Sequence, residues 1–322
     1  MMGSLASLLT FLVIWASPVD AGAQKIYRIS ALLAEEQFLP AVDGFKKGMA
    51  ALGYIEGKNV RYGIYNAQLD RKKLQGFAEK LVREKPDLIV TSSTTATVPV
   101  VKLTGGTDLP VVLLSSGNPL QFVKSYASSG NNLTGISAAA LELTAKRLEL
   151  LKDLVPKVKR VASLSNPKGV NYQSYVAAVR EAAKQNGLTL REVSASNREE
   201  LRRVMGTMKH TAVHAILVEP DVLYAANIDV IVEYSILEKL PVIPTLITQV
   251  RKGALATYAP DYFALGEQGA KLAHKIFKGA RPTDLPIELP SKLTLVINLK
   301  TAKAIGLKVP KELLVRADEV IE

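Results

Sequence analysis

A chain of 322 residues, 48% apolar and 22% charged, is long for one hydrophobic core and too apolar for disorder, so two lobes of ordinary size are expected. It has no cysteine, which excludes disulfides, thiolate nucleophiles and cysteine-held metals. Its net charge of +11 comes from Lys and Arg mixed with acids at helical spacing, as in "DRKKLQGFAEKLVREK" (70–85). With no basic arm and no interleaved aromatics, that pattern reads as solvated helix faces and excludes a nucleic-acid partner.

Residues 1–23 have the outline of a signal peptide. The apolar run from Leu5 to Ala16 is too short to span a bilayer, and Ala21-Gly22-Ala23 supplies small residues for a cut after Ala23. One element is missing, because no Lys or Arg precedes Lys25. No cysteine follows for lipid attachment, so the mature chain is expected in the periplasm without an anchor.

From Lys25 onward, short apolar runs alternate with amphipathic stretches. Strand 25–33 leads to a helix over 39–52 closed by Gly53, and strand 59–67 to a helix over 69–84. Strand 86–93, expected to be fully buried, precedes a short helix interrupted by Pro99, then strand 109–116 and the segment 133–140. The pattern then restarts. Helices over 143–155, 172–186, 198–209 and 226–240 alternate with strands 158–166, 188–195, 214–219 and 241–246. A strong amphipathic helix over 264–279 and one more strand-helix pair over 292–307 follow. Strand 86–94 has its counterpart in 212–220, and 109–115 in 240–246. The fold class is therefore α/β, with two doubly wound parallel-sheet lobes that can close face to face over a small molecule.

In such sheets ligands lie against the loops beyond the carboxyl ends of the strands, where the next helix offers unpaired N–H groups. The loop after the third strand carries four hydroxyls, Ser92, Ser93, Thr94 and Thr95, suited to a carboxylate. The fourth strand ends in Ser115, Ser116, Gly117 and Asn118. In the second half Asn166 and Tyr172 follow one strand, and Glu219 and Asp221 another; Asp261, before the helix over 264–279, completes the set. Each has a plainer role available. Ser, Thr and Asp before a helix are caps, and Tyr172 and Tyr224 can pack at a rim instead of walling a ligand. Glu219 at a strand end is expected to be partly buried and to need a cation.

Catalytic signatures are missing. No dinucleotide, phosphate-loop or nucleophile-elbow pattern follows any strand, and His210 with His214 straddles a helix end and a strand instead of sharing a face. No cofactor, no metal and no enzymatic step are expected.

"FKKGMAALGYIEGKNV" (45–60) resembles the "F..GL.ELGY.EG.N" segment of a large family of bacterial ABC-transporter substrate-binding proteins, which includes tryptophan- and other aromatic amino-acid-binding members. "PDLIVTSSTTAT" (86–97), "NNLTGIS" (131–137) and "LVINLKTAKAIGL" (295–307) are similar to the same family, and the likeness runs over nearly the whole mature chain. It implies a type I periplasmic-binding-protein fold, with one lobe built from 24–137 and 253–285 and the other from 138–252 and 286–322. It also implies a carrier, expected to be monomeric, that clamps a carboxylate-bearing or aromatic solute by hinge closure and delivers it to a membrane permease with a separate ATPase. A sensing module for a membrane kinase or chemoreceptor is the alternative. Many relatives carry an acid where this chain has Asn118, which removes one partner for an α-ammonium and leaves amino-acid binding open.

Overall fold

The computed structural model describes residues 25–322. The expected signal peptide lies outside the described residues, and among these no helix is long and apolar enough to cross a membrane.

The first half runs β1 (Tyr27–Leu33), α1 (Leu39–Ala51), β2 (Val60–Asn66), α2 (Arg71–Glu84), β3 (Leu88–Ser92), α3 (Thr94–Thr104), β4 (Val111–Ser116) and β5 (Leu133–Ser137). The second half repeats the scheme with α4 (Thr144–Leu154), β6 (Arg160–Ser165), α5 (Tyr172–Gln185), β7 (Thr189–Ser194), α6 (Arg198–Gly206), β8 (Ala215–Val218), α7 (Val222–Ala226), α8 (Ile228–Leu237), β9 (Val242–Ile243) and α9 (Ile247–Arg251). The chain ends with β10 (Ala256–Ala259), α10 (Tyr262–Phe277), β11 (Ile287–Glu288), β12 (Thr294–Asn298), α11 (Leu299–Ala304), α12 (Lys311–Arg316) and β13 (Glu319–Ile321).

Two parallel sheets carry the lobes, ordered β2-β1-β3-β4-β5-β11 and β7-β6-β8-β9. The matching order β2-β1-β3-β4 and β7-β6-β8-β9 is the duplication seen in the sequence. Central strands β3 and β4 are buried throughout, which is why they read as unbroken apolar runs, whereas the edge strand β7 is exposed or half-buried along its length. In the first lobe, α1 and α10 cover one face with Phe45, Met49 and Ala273, and α2 and α3 cover the other with Ala78, Leu81 and Val100. The second lobe has a core of the same kind on each face of its sheet.

The C-terminal third differs from the expected division in three ways. β10 pairs with β12 and its Leu255–Ala256 region packs in the second lobe, so residues 253–259 do not join the first. β11 pairs with β5 in the first sheet, so the return to the second lobe comes after residue 288 instead of 286. And β10 and β12 are antiparallel, inside a three-stranded sheet completed by the unforeseen strand β13, although alternation had implied parallel pairing throughout. The cause is the excursion between them. α10 crosses to the first lobe, and the chain comes back along β10 in the opposite sense.

That excursion is held by backbone contact between α1 and α10. A methyl group on Gly266 would meet the carbonyl oxygen of Ala41 at 1.9 Å, one on Gly44 the carbonyl oxygen of Phe263 at 1.9 Å, and one on Gly48 the Ala270 methyl at 2.7 Å. Only glycine lets the helices approach this closely. Gly266→Ala is therefore expected to force α10 off α1, cost several kcal/mol (about 1–3 is usual for milder overpacking) and lower the melting temperature by about 5 °C or more. Gly76→Ala on α2, where nothing lies within 4 Å, is the control and should be neutral or slightly stabilising in the same thermal melts.

Candidate functional site

The strand tips of the two sheets face each other across a narrow, partly open cavity. From the first lobe it is lined by Ser93, Thr94, Thr95, Ser115 and Gly117, and from the second by Asn171, Asp221, Ala225 and Thr245. Phe38 and Tyr262 form its aromatic wall, their ring centroids 5.9 Å apart and their planes tilted by 30°.

The N-terminus of α3 projects into this space because of Ser93. That residue takes φ 96° and ψ 151°, a conformation that glycine alone adopts without strain and that costs other residues about 1–3 kcal/mol. Its Oγ accepts the Ala96 N–H at 3.2 Å and so caps the helix. Thr94 Oγ1 accepts the Gly117 N–H at 2.9 Å and meets Ser116 Oγ at 3.3 Å, tying the tip of β4 to the helix start. First-turn N–H groups at Thr94 and Thr95 lie ahead of the intrahelical ladder, so an oxyanion placed there meets free donors and the positive end of the helix.

Opposite stands Asp221, the N-cap of α7. Its Oδ1 accepts from the Leu223 N–H at 2.9 Å and from Asn166 Nδ2 at 3.1 Å. Burial pushes its carboxyl above the ordinary range, against the pull of the Asn166 amide. A donor set facing an acid across a cavity with an aromatic wall matches a zwitterion with an apolar side chain.

Several sequence candidates sit elsewhere. Ser92 is buried, donating to the Phe38 carbonyl at 3.0 Å and paired with Ser115 Oγ at 2.8 Å, so it supports the wall without lining it. Asn118 donates to Ser174 Oγ at 3.1 Å and ties one lobe to the other. Tyr172 packs half-buried against the second core; the residue before it, Asn171, is the one at the cavity, donating to the Pro220 carbonyl at 3.0 Å. Tyr224 is fully buried, with its hydroxyl donating to the Ala195 carbonyl. Asp261 is the exposed cap of α10, accepting from the Phe263 and Ala264 N–H groups. His214 accepts the Lys159 N–H, and no cluster of three metal-binding side chains occurs among the described residues.

Glu219 departs from expectation most. It is fully buried without a cation: Oε2 accepts the Asn166 N–H at 2.5 Å and Oε1 has no partner among the described residues. Burial pushes this carboxyl up to about 8, with nearby Asp221 adding to the rise, so it carries its proton at neutral pH. The missing cation is Arg147, which lies elsewhere in the waist. It is fully buried on α4, with Nη1 donating to the Ala140 carbonyl at 2.7 Å, Nε to Tyr258 at 3.2 Å and Nη2 to Thr245 at 3.5 Å.

The aromatic wall escaped the sequence reading for simple reasons. Phe38 follows β1, a strand tip that was passed over, and Tyr262 reaches the cavity only because the crossing at Pro260 brings α10 beside it.

Two α/β lobes, crossed by the chain three times and closed over a cavity at their strand tips, define a solute-binding protein of the type I periplasmic class. A family model described as ABC transporter substrate binding protein matches residues 27–321, and this chain belongs to that family of binding proteins. The chain is 29% identical over 291 residues to the tyrosine-binding protein of Clostridioides difficile, covering 90% of this chain and 83% of the relative. A Streptococcus pneumoniae ABC domain solved in complex with L-Trp superposes with a TM-score of 0.85 at 27% identity, over 92% of this chain and all of that one. A conserved domain protein from Vibrio cholerae gives 0.86 at 26%, with the same coverage. A leucine-binding protein from Thermotoga maritima shares the fold at 11% identity and a TM-score of 0.65, over 79% of this chain and 83% of that one.

Glu219 makes the stability of the closed waist depend on pH. Its folded carboxyl sits at about 8, while an unfolded one titrates near 4.3, roughly, so the folded state holds an extra proton in between. That contribution is complete below the unfolded value and is lost as pH rises through 8. Glu219→Gln removes it. The variant's melting temperature should hold more nearly level from pH 6 to 9 than the wild type's, with the gap in its favour widening by an amount equivalent to a few kcal/mol, about.

Proposed function

We propose that this protein carries an aromatic α-amino acid from outside the cytoplasmic membrane to an ABC permease energised by a separate ATPase, acting as a monomer released by cleavage of its N-terminal signal. The observation that carries the reading is the opposition, across one cavity, of the α3 N-terminus and Asp221, with Phe38 and Tyr262 as the wall. In it the solute's carboxylate takes the N–H groups and hydroxyls of Ser93, Thr94 and Thr95. Its ammonium goes to Asp221, and its ring lies against Phe38 and Tyr262. The ammonium partner lost at Asn118 is thereby supplied from the other lobe, and the tyrosine-binding relative and the relative solved with L-Trp support the same solute class. Because the two charged ends are read by different lobes, only a zwitterion rewards closure in full. The sensing alternative shares this site, and no feature of the described residues favours it.

Titration calorimetry against the twenty amino acids checks the reading. Tryptophan, tyrosine or phenylalanine should bind well above the aliphatic and charged residues; no binding by any of the three would sink it. Asp221→Asn keeps a capping side chain on α7 but loses the charge. It should weaken binding by about 10- to 100-fold, the worth of one charged hydrogen bond, with little change in the melting temperature. Since burial raises the Asp221 carboxyl, wild-type affinity should hold at neutral pH and fall on the acid side sooner than an ordinary carboxylate would dictate. The Asn variant should show a flatter profile over the same range.

A further inference from the structure

The space between the lobes does not end at the inner cavity. A second, larger chamber of about 440 Å³ adjoins it, and Thr95, Asp221 and Val222 line both, forming the neck between them. Its floor is apolar, built by Leu74 on α2, Val98 and Pro99 on α3, and Val170 and Leu223 from the second lobe. Leu69 and Val170 stand 41% and 38% exposed at this chamber. The backbone is bent to place Leu69 there. Gln68 and Leu69 take φ of 53° and 64°, a left-handed pair held by the Gln68 N–H on Asn66 Oδ1 at 3.0 Å and the Leu69 N–H on the Ala34 carbonyl at 2.9 Å.

Cations outnumber acids in the lining of this chamber by three to two. Arg71, Lys102 and Lys168 all reach it, and none belongs to an ion pair among the described residues. Of the two acids in its wall, Asp70 is occupied in capping α2 through the Lys72 and Lys73 N–H groups, and Asp221 is at the neck. Arg71 also donates to the Lys168 carbonyl at 3.2 Å, so the cationic side bridges the two lobes.

The order of chemistry along the cleft is thus aromatic, zwitterion-matching, apolar and finally cationic. A free amino acid with its ring on Phe38 and Tyr262 ends at the neck. A ligand that continues into the outer chamber does so through its carboxyl end, as a peptide bond, with the carbonyl oxygen replacing the carboxylate at the α3 N-terminus. We propose that the cleft takes short peptides, foremost a dipeptide with an aromatic N-terminal residue. Its second side chain lies on the Val98–Pro99–Leu223 floor and its C-terminal carboxylate faces Arg71, Lys102 and Lys168. This rests on the reading of the inner chamber given above and extends the solute class from aromatic amino acids to aromatic-led dipeptides.

Calorimetry on the mature protein tests it with three probes: L-tryptophan, L-tryptophyl-L-valine and the C-terminal amide of that dipeptide. The dipeptide should bind at least as tightly as tryptophan, and its amide about tenfold more weakly, because the amide lacks the charge that the outer cations meet. In the Lys102→Gln, Lys168→Gln double variant the gap between dipeptide and amide should shrink to about twofold. The wild-type comparison of dipeptide with amide stands even if that variant folds poorly. Tryptophan binding without dipeptide binding overturns the proposal and leaves the amino-acid reading intact. Equal affinity for dipeptide and amide overturns the cationic subsite. Failure of all three probes overturns the inner-chamber reading, and the proposal with it.

Discussion

The Arg147 guanidinium lies in the waist of the molecule with three main-chain carbonyls around it and, among the described residues, no ion pair, and this arrangement ties the first crossing segment to the second lobe. Taking such a cation out of water costs several kcal/mol, roughly, unless its donors are satisfied. Burial draws it down to about 10, so it still keeps its charge at neutral pH. Ala140 sits on the first crossing segment and Tyr258 just ahead of the second, while Thr245 lies at the cleft between β9 and α9. If one of these segments slid past another, a buried charge would lose a partner. Arg147 therefore pins the first crossing segment to β10 and to the β9–α9 loop, on the second-lobe side of the waist. Ala140 and Thr245 are also cavity wall, so a positive charge stands directly behind the site and favours a negatively charged group inside it.

Against that fixed waist, the contacts that hold the lobes together at the rim are few and weak. Asn118 reaches Ser174, Gln121 reaches Asn171 at 3.3 Å and Arg71 reaches the Lys168 carbonyl. Each such hydrogen bond contributes about 0.5–1.5 kcal/mol net. A solute that touches both lobes then decides the balance. The strain at Ser93 belongs to the same economy of the site, because it aims helix donors into the cavity before any ligand arrives.

Much of this was legible from residues alone. The duplicated α/β plan follows from apolar runs alternating with amphipathic ones, and the strand-tip rule led to Ser93, Thr94, Thr95, Gly117 and Asp221, all of which line the cavity. The rule does not distinguish a hydroxyl facing the cleft from one folded back on its neighbour. Ser92, the last residue of β3, spends its hydroxyl on the Phe38 carbonyl and on Ser115, whereas Thr94 already belongs to α3. Nor does local sequence reveal what a distant segment brings. Tyr262 is a cleft residue only because α10 returns to the first lobe, and the buried Glu219 has no ion pair among the described residues. The antiparallel β10–β12 pair escaped for the same reason, since its sense is set by the excursion between the two strands and not by either strand.

The return of α10 and β11 to the first sheet also bears on the order in which the protein can be built. Domains tend to fold as units while a chain emerges from the ribosome, the N-terminal one first. Here the first lobe lacks a covering helix and an edge strand until residue 288 has emerged, and the second waits for β12 and β13. The first unit is not complete before residue 288 has emerged, nor the second before residue 321. A nascent chain of this design stays unfinished, and open to handling as an unfolded thread, until both have been made.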